Sequence, residues 1–260
     1  MAKITEMSRS KIHSLIIALF FLIILFTAWH ETYIVFSREW LAARFFPFWV
    51  LTLAGFVLAL LFSWTITTRR LLSYLFLVFV LEYIKETIGI VSGQFRYNGV
   101  NGAYNTGVWL WVMGAFLTYA LADRVLIRLF VRLRLKSRRW LNLVLWTAVS
   151  ALMPALLGSY WDDTGPAFWV FYGVLFVFGL YTARKMNLPT LLALILASWV
   201  MGNATEFAGS YFAKIWTYRH NPVYPPLFLL LGCWPLEILA QYSLSSIVCR
   251  ESLNLKPTED

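Results

Sequence analysis

The stretch ETIGIVSGQFRY, residues 86–97, is matched 120 residues later by the stretch EFAGSYFAKIWTY, residues 206–218. Each copy has a glutamate, a glycine three residues on, and then an aromatic residue two positions before a tyrosine. Each glutamate falls in a segment apolar enough to cross a bilayer. Because a carboxylate inside a membrane is costly, two of them in a repeated setting indicate a functional site. The alternative is that Glu86 and Glu206 are solvated helix ends at the lipid–water boundary.

The composition around these copies indicates a polytopic membrane protein. Hydrophobic residues make up 60% of the 260 residues and charged residues only 13%, and the mean hydropathy is +0.68. A soluble domain carries about 25% charged residues. Aromatic residues reach 18%, which is typical of aromatic belts at both interfaces and leaves rings over to line an interior.

Apolar runs of about 20 residues predict an all-α fold with eight transmembrane helices. The first run follows a basic start, but the residues from Phe26 to His30 offer no small-x-small cleavage site, so it is predicted to be a retained helix rather than a signal peptide. The predicted spans lie near residues 13–29, 47–67, 71–92, 107–129, 140–159, 165–183, 188–209 and 223–248.

The distribution of Lys and Arg predicts that both termini are cytoplasmic. With that orientation, 16 basic residues fall in inner segments and five in outer loops, and Lys85 lies within the third span. This asymmetry follows the positive-inside rule. The chain is therefore expected to be an integral membrane protein of the bacterial inner (cytoplasmic) membrane.

The net charge of +9 is explained by topology, so no nucleic-acid partner is expected. The basic run from Arg124 to Arg139 lies between two spans, where anionic lipid headgroups attract it. Base-reading side chains alternating with stacking aromatics are absent from this run.

Few residues suit a disulfide, a metal or a cofactor. Cys233 and Cys249 lie within and at the end of the last span, without zinc spacing. His13, His30 and His220 are too scattered for a di-iron or copper site. No metal and no cofactor are therefore predicted.

The basic run also divides the chain into two predicted four-helix halves, residues 1–135 and 136–260. An even number of crossings separates the two copies, so both point the same way and the halves are expected to be related by an axis along the membrane normal. At 1.5 Å per residue, Glu86 lies roughly 24 Å and Glu206 roughly 27 Å from the inner face. Both are therefore predicted in the outer third of the hydrocarbon core.

The first copy has a second acid. Glu82 and Glu86 share a helix face, and Lys85 is one turn from Glu82. Two carboxyl groups this close inside a membrane favour keeping one of them protonated, as an acid able to donate. A plain Glu82–Lys85 ion pair that fixes helix packing is an equally good interpretation.

The second half has a different set of polar residues. Asn203 lies about one turn before Glu206, in place of the extra acid. Glu237 follows a kink expected at Pro235 and is predicted near the middle of the membrane, with Gln241 one turn later. The predicted catalytic residues are therefore Glu82, Glu86, Glu206 and Glu237.

The outer ends of the repeated segments supply candidate substrate-binding residues. These are Tyr97, Trp216, Tyr218 and Asn203, although interfacial anchoring is the commoner role of such tyrosines. The glycines after each glutamate are expected to let helices pack closely. The turn-rich segments at 97–106 and after residue 218 could close over a shared cavity, and Asp162 and Asp163 are expected to be solvated turn residues.

The chemistry is narrowed by the motifs that the sequence lacks. It has no Gly-x-Ser-x-Gly elbow, no phosphate-binding Gly-x-x-x-x-Gly-Lys loop and no His-Glu-x-x-His helix. Carboxylic acids in a dry, aromatic setting remain. This combination suits protonation of an alkene or epoxide and shielding of the carbocation, which favours a lipid substrate.

The pattern Glu86-x-x-Gly89-x5-Phe95-x-Tyr97, followed by Gly107-Val-Trp-Leu-Trp111, resembles integral-membrane carotenoid-modifying families. These are the small membrane lycopene cyclases, the carotenoid hydratases and related membrane terpene cyclases. The resemblance implies acid-initiated addition to polyisoprenoid double bonds, with Glu86 and Glu206 as the acids. The chain departs from those families in its eight predicted spans and in Lys85 beside the first acid.

A non-enzymatic function is the alternative. The chain could be a small-solute transporter, or an accessory subunit packed against a membrane-protein partner in a larger complex. Broken helices in both halves would favour a transporter, and carboxylates facing a partner would favour a subunit. The deciding observation is whether Glu86 and Glu206 face one enclosed cavity.

Overall fold

The computed structural model describes residues 2–28, 30–31, 38–98, 104–135, 138–221 and 224–255. The protein is mostly helical, at 81%. The helices are α1 (Ala2–Ala28), α2 (Arg38–Ser63), α3 (Thr68–Val91), α4 (Tyr104–Arg132), α5 (Arg139–Ala155), α6 (Pro166–Ala183), α7 (Leu188–Phe212) and α8 (Phe228–Cys249), and the strands are β1 (Phe95–Tyr97) and β2 (Trp216–Tyr218).

Five of these helices are long and apolar enough to cross a membrane: α4, α6, α7, α8 and the part of α1 from Ser10 to Thr27. Among the other three, α3 carries several charges, α5 has only 17 residues, and the described apolar part of α2 is Thr52–Ser63. The architecture is compatible with the predicted all-α membrane protein.

The helices α3 and α7 begin at equivalent points of the repeat. Thr67 caps α3 by accepting a hydrogen bond from the backbone N–H of Arg70, and Asn187 caps α7 by accepting from the N–H of Thr190. The two caps are 120 residues apart, as are Glu86 and Glu206. The two side-chain caps satisfy an orphan N–H group in the first turn of each helix in the same way. Since each glutamate is 19 residues after its cap, both lie at the same height on their helices.

The two aromatic-x-Tyr segments form an antiparallel pair of strands, a feature that the all-α prediction missed. Phe95 pairs with Tyr218 and Tyr97 pairs with Trp216, so equivalent residues of the two copies exchange places across the pair. The pairing holds the ends of α3 and α7 at the same end of the molecule. This is the local two-fold relation expected of two halves that point the same way.

The helix packing follows the same relation. The helices α3 and α7 each pack against both α4 and α8, which makes a four-helix core. Outside it, α2 packs on α4 as α6 packs on α8, and α1 packs on α2 as α5 packs on α6. Each of these contacts in one set of helices thus has a counterpart in the other set. The division at residues 135 and 136 stays a prediction, because residues 136–137 lie outside the described residues.

The glycines of the repeat have a role different from the predicted helix-to-helix contact. A Cβ atom on Gly89 would run into the ring of Phe95, and one on Gly209 would run into the ring of Trp216. Each glycine therefore makes room for the aromatic ring of the strand that follows it. Close approach to the protein's own strand, rather than to a neighbouring helix, requires glycine here.

The irregularity expected at Pro235 is a π-helical segment, Phe228–Cys233, immediately before it. Proline has no N–H to donate to the carbonyl four residues earlier, which is that of Leu231. That carbonyl instead accepts a hydrogen bond from the indole of Trp199 at 3.0 Å. A second π-helical segment, Phe207–Phe212, directly follows Glu206. Both breaks lie beside the predicted acids, where such segments are common.

The prediction for Asp163 was wrong. Asp162 is exposed, but the Asp163 carboxylate is buried and lies 2.5 Å from Arg219 Nη1 and 2.7 Å from His220 Nε2. This pairing fixes the segment that follows β2. The predicted outer loops cannot be followed throughout, since residues 99–103 and 222–223 lie outside the described part.

We expect Gly209→Ala to destabilise the protein by about 1–3 kcal/mol, because the added methyl displaces the buried ring of Trp216. The matched control is Gly173→Ala in α6, where a Cβ atom meets nothing within 4 Å. That change should be neutral or stabilise by up to about 1 kcal/mol through helix propensity. Unfolding in detergent measures both variants, and equal stability of the two would contradict the assigned role of Gly209.

Candidate functional site

Lys85 lies at the centre of a cluster of acids. Its Nζ is 2.5 Å from Glu82 Oε2, 3.1 Å from Glu86 Oε1 and 3.7 Å from Glu237 Oε2. It also lies over the ring of Trp111, 4.1 Å from the centroid. The spacing of α3 sets Glu82 one turn from Lys85, and α8 supplies Glu237 from across the core. A buried ammonium thus has a carboxylate or an aromatic ring on several sides.

Hydrogen bonds fix the acids that α3 and α8 contribute. The Gln241 amide donates to Glu82 Oε1 at 2.8 Å, and the hydroxyl of Tyr172 on α6 donates to Glu237 Oε1 at 2.6 Å. The predicted Glu82–Lys85 pair is present and is part of a larger network. Its members come from α3, α6 and α8, so the network also holds three helices together.

The acid of the first copy is held by the tyrosine of its own strand. The Tyr97 hydroxyl donates to Glu86 Oε2 at 2.5 Å, and the Trp111 indole donates to the Tyr97 oxygen at 3.3 Å. The strand β1 therefore turns back over the end of α3. Tyr97, which the sequence predicts at the membrane interface, thus contacts the Glu86 carboxyl group directly.

The acid of the second copy is held in the same way. The Tyr218 hydroxyl donates to Glu206 Oε2, which also accepts from the indole of Trp216 at 3.2 Å. Glu206 Oε1 accepts from the indole of Trp234 at 3.3 Å. Within the described residues, the hydrogen-bond donors to the Glu206 carboxyl group are all neutral, whereas Glu86 also lies beside an ammonium.

Both repeated acids line one narrow cavity. Its lining includes Glu86 and Lys85 from one copy, Glu206 and Trp216 from the other, and Trp111 from α4. The rings of Trp111 and Trp216 lie 4.9 Å apart, centroid to centroid. The cavity volume is about 20 Å³, which is room for about one water molecule. The site is therefore aromatic, closely packed and shared by the two halves.

The charge of this cluster is unbalanced if every group ionises. Each of the four carboxyl side chains is at most 2% exposed, and Lys85 is the cation that pairs with three of them, Glu82, Glu86 and Glu237, in the described part of the chain. Isolated charges are strongly disfavoured in such an interior. One ammonium cannot neutralise four carboxylates, so Glu82, Glu86 and Glu237 share it.

The two strand tyrosines donate hydrogen bonds to these carboxyl groups. Burial, together with the adjacent carboxylates of Glu86 and Glu206, raises the pKa of Tyr97 and Tyr218 well above the usual value. Both hydroxyls therefore stay protonated at neutral pH. They orient the carboxyl groups toward the cavity.

The predicted site residues fall into three positions. Glu86, Glu206, Trp216 and Tyr218 line the cavity, and Tyr97 binds Glu86 beside it. Glu82 and Glu237 lie next to them through Lys85. The structure does not bring Asn203 to the site. Its amide donates to the Trp199 carbonyl one turn earlier at 2.5 Å, and it lines a separate pocket with His220 and Tyr224.

Comparison with family models, with curated proteins and with solved structures finds no match to this chain.

The resemblance of the Glu-x-x-Gly motif to carotenoid-modifying families therefore stays a prediction. Within the described residues, no group of three or more His, Cys, Asp and Glu side chains is placed to hold a metal ion. The ammonium of Lys85 occupies the centre of the acidic cluster.

Sequence reasoning missed Trp111, Trp234 and Tyr172 as parts of the site. A signal for the two tryptophans is present in a second repeat, because WVMGAFLTY at 111–119 matches WPLEILAQY at 234–242 in its first and last residues. In this alignment Trp111 corresponds to Trp234. Tyr172 had no such signal, since it is one of several aromatic residues on an apolar helix.

We expect Lys85→Met to destabilise the protein by about 3–5 kcal/mol, because removing one member of a buried ionic cluster leaves charge uncompensated. Lys185→Met is the matched control, since Lys185 is exposed. Adding Glu82→Gln to Lys85→Met should recover part of the loss. Thermal unfolding in detergent measures all three, and a Lys85→Met protein as stable as the control would contradict the ionic role.

Proposed function

We propose that the chain is an integral membrane enzyme that starts an acid-catalysed cyclisation or hydration of a polyisoprenoid lipid. The supporting observation is that Glu86 and Glu206, each hydrogen-bonded to its strand tyrosine, line one aromatic cavity. Carboxyl groups enclosed in a dry site are suited to protonate a carbon–carbon double bond.

In the proposed reaction Glu206 is the acid and Glu86 is the base. Glu206 has neutral donors around it, whereas Glu86 lies 3.1 Å from the Lys85 ammonium, so the two environments differ as a donor and an acceptor require. The alkene π electrons take the proton of Glu206 to form a C–H bond, which leaves a cation on the neighbouring carbon. Ring closure followed by loss of a proton to Glu86, or addition of water followed by the same loss, forms the product. Glu86 is then protonated and Glu206 ionised, and transfer of a proton back to Glu206, directly or through water, restores the starting state.

The aromatic lining suits a carbocation intermediate. Lys85 already places a positive charge over the face of Trp111 at 4.1 Å, within the distance at which rings attract cations. The ring of Trp216 lies next to it. A cation that develops beside Trp216 would be attracted to that ring and kept from water until its proton is lost.

We further propose eight membrane spans with both termini in the cytoplasm, in the bacterial inner membrane. The split of basic residues supports this topology. In the structure the start of α3 lies beside the end of α8, since Arg69 Nη2 donates to the Val248 carbonyl at 2.7 Å and Arg70 lies 3.3 Å from Glu251. These contacts agree with one inner face. Lys136 and Lys256, counted in the prediction, lie outside the described residues.

A small-solute transporter is the second candidate. The narrow cavity favours it, and so do the π-helical segments in both halves, Ala122–Leu126 in α4 and Phe207–Phe212 and Phe228–Cys233 in α7 and α8, because transporters bind substrates where helices are interrupted. The accessory-subunit alternative has less support, since the four carboxyl groups are buried inside the chain rather than facing a partner.

We expect Glu86→Gln and Glu206→Gln each to lower turnover of an acyclic polyisoprenoid such as lycopene by at least about 10²-fold, because the amide keeps the shape but cannot transfer the proton. Glu251→Gln, at the inner end, is the control and should stay active. Assays in D2O should place solvent deuterium in the product. Full activity of both site variants would exclude acid catalysis, and solute flux through proteoliposomes without deuterium uptake would favour the transporter.

The topology has its own test. Cysteine at Arg96 should react with an impermeant thiol reagent added to intact cells, whereas cysteine at Arg138 should react only after the membrane is opened. Both positions are exposed, and the native Cys233 and Cys249 are buried, so the background is low. Labelling of the Arg138→Cys variant in intact cells would overturn the proposed orientation.

A further inference from the structure

The repeat creates two equivalent seams in the four-helix core, one between α3 and α8 and the other between α7 and α4. The charged network fills the first seam. At the corresponding positions of the second seam the side chains are small and uncharged. Spacings of 120 residues for α3 and α7 and of 123 residues for α4 and α8 relate Lys85 to Thr205, Glu82 to Gly202, Glu237 to Gly114 and Gln241 to Thr118.

The second seam contains an apolar groove where the first contains ions. The groove has a volume of about 220 Å³ and lies between α2, α4 and α7. Its walls are formed by small and flexible residues, among them Gly55, Met113, Gly114, Met201 and Ala208. Two of the four corresponding residues, Gly114 and Thr205, line the groove and pack against each other.

The groove opens toward the outside of the helix bundle. Ala54 and Leu58 of α2 and Ala204 of α7 line it and are exposed. In a chain of membrane-spanning helices this flank faces hydrocarbon. An occupant that arrives from the membrane therefore reaches the groove without crossing water.

The buried end of the groove lies next to the carboxyl site. Trp216 lines both the groove and the narrow cavity, and its indole donates to Glu206 Oε2 at 3.2 Å. Gly209, on which the Trp216 ring packs, also lines the groove. A single aromatic side chain thus separates an apolar space open to the membrane from a buried acid.

We propose that the groove between α2, α4 and α7 binds the apolar end of the lipid substrate and presents it to Glu206 past Trp216. This inference rests on the proposed function and adds the place where the lipid is bound. A dry cavity of about 150 Å³ holds a benzene ring, so the groove has room for a branched or ring-shaped end group of similar size. The remainder of the lipid extends along the open flank into the bilayer.

A lipid chain fits the groove better than a protein helix does. A helix would need a long surface with several anchor side chains, whereas this groove is short and ends at Trp216. Its continuity with the carboxyl cavity also links the occupant to the reacting groups. The competing occupants are a second copy of this protein and another membrane protein, and the experiment must be able to detect them.

The test uses geranylgeraniol carrying a diazirine on its last isoprene unit, added to the full chain in proteoliposomes. After illumination, mass spectrometry should place the label on Met113 and Met201. Gly55→Leu fills the groove and should lower labelling of Met113 by about tenfold, because the added side chain takes the space of the probe. Gly173→Leu makes the same change where a Cβ atom meets nothing within 4 Å, and should leave labelling unchanged.

A graded variant guards against misfolding. A Cβ atom at Gly55 lies 3.5 Å from Leu117 and 3.6 Å from Met113, which is ordinary contact, so Gly55→Ala should fold and give an intermediate loss of labelling. Labelling of Met113 that is indifferent to both Gly55 variants would overturn the inference. Cross-links from the groove to a second protein chain, with no probe attached, would overturn it as well.

The outcomes separate this inference from the proposed function. Glu206→Gln should keep the groove labelling of the wild type, since Glu206 is not part of the groove. If the groove is labelled but no deuterium enters the lipid in D2O, the proposed reaction fails and the binding site stands. If deuterium enters and depends on Glu206 while labelling ignores Gly55→Leu, the reaction stands and the groove inference fails.

Discussion

A buried ammonium is the constraint on which the rest of the structure depends. Lys85 is 7% exposed inside an apolar helix bundle, and a charge in that position is retained only when it is paired and hydrogen-bonded. Glu82 and Glu86 pair with it from the same helix, and Glu237 pairs with it from across the core. The need to satisfy these acids in turn explains why Gln241 and Tyr172 face the same point. One cation therefore fixes the relative position of three helices.

The four-helix core has an approximate two-fold relation, and the charged network lies in only one of its two equivalent seams. Caps, glycines, strands and tyrosines are repeated in both halves, so the scaffold around Glu86 and Glu206 is nearly the same. The charged residues break the relation, because they occupy only the seam between α3 and α8. The symmetric frame therefore has one polar seam, which contains the Lys85 network, and one apolar seam, which contains the groove.

Much of this arrangement could be predicted from the sequence, and the exceptions have physical reasons. The equal height of Glu86 and Glu206 follows from the fixed rise of a helix, and the pair of Glu82 and Lys85 follows from its turn. The strands could not be predicted, because three residues carry too little periodicity to separate a strand from a loop. Asn203 was misplaced for a related reason, since its amide bonds to its own helix instead of facing the core. The burial of Asp163 depends on Arg219, which is distant in the chain.

The pairing of β1 with β2 also sets the order in which the site can assemble. The two strands are separated by more than a hundred residues, so the pair cannot form until most of the chain has been synthesised, and contacts between such distant residues form late. In the proposed eight-span topology, α3 enters the bilayer with its charges during that interval. The short-range pair of Glu82 and Lys85 neutralises part of that charge before Glu237 arrives. An ion pair within one helix thus makes insertion of a charged segment tolerable while its remote partner is still on the ribosome.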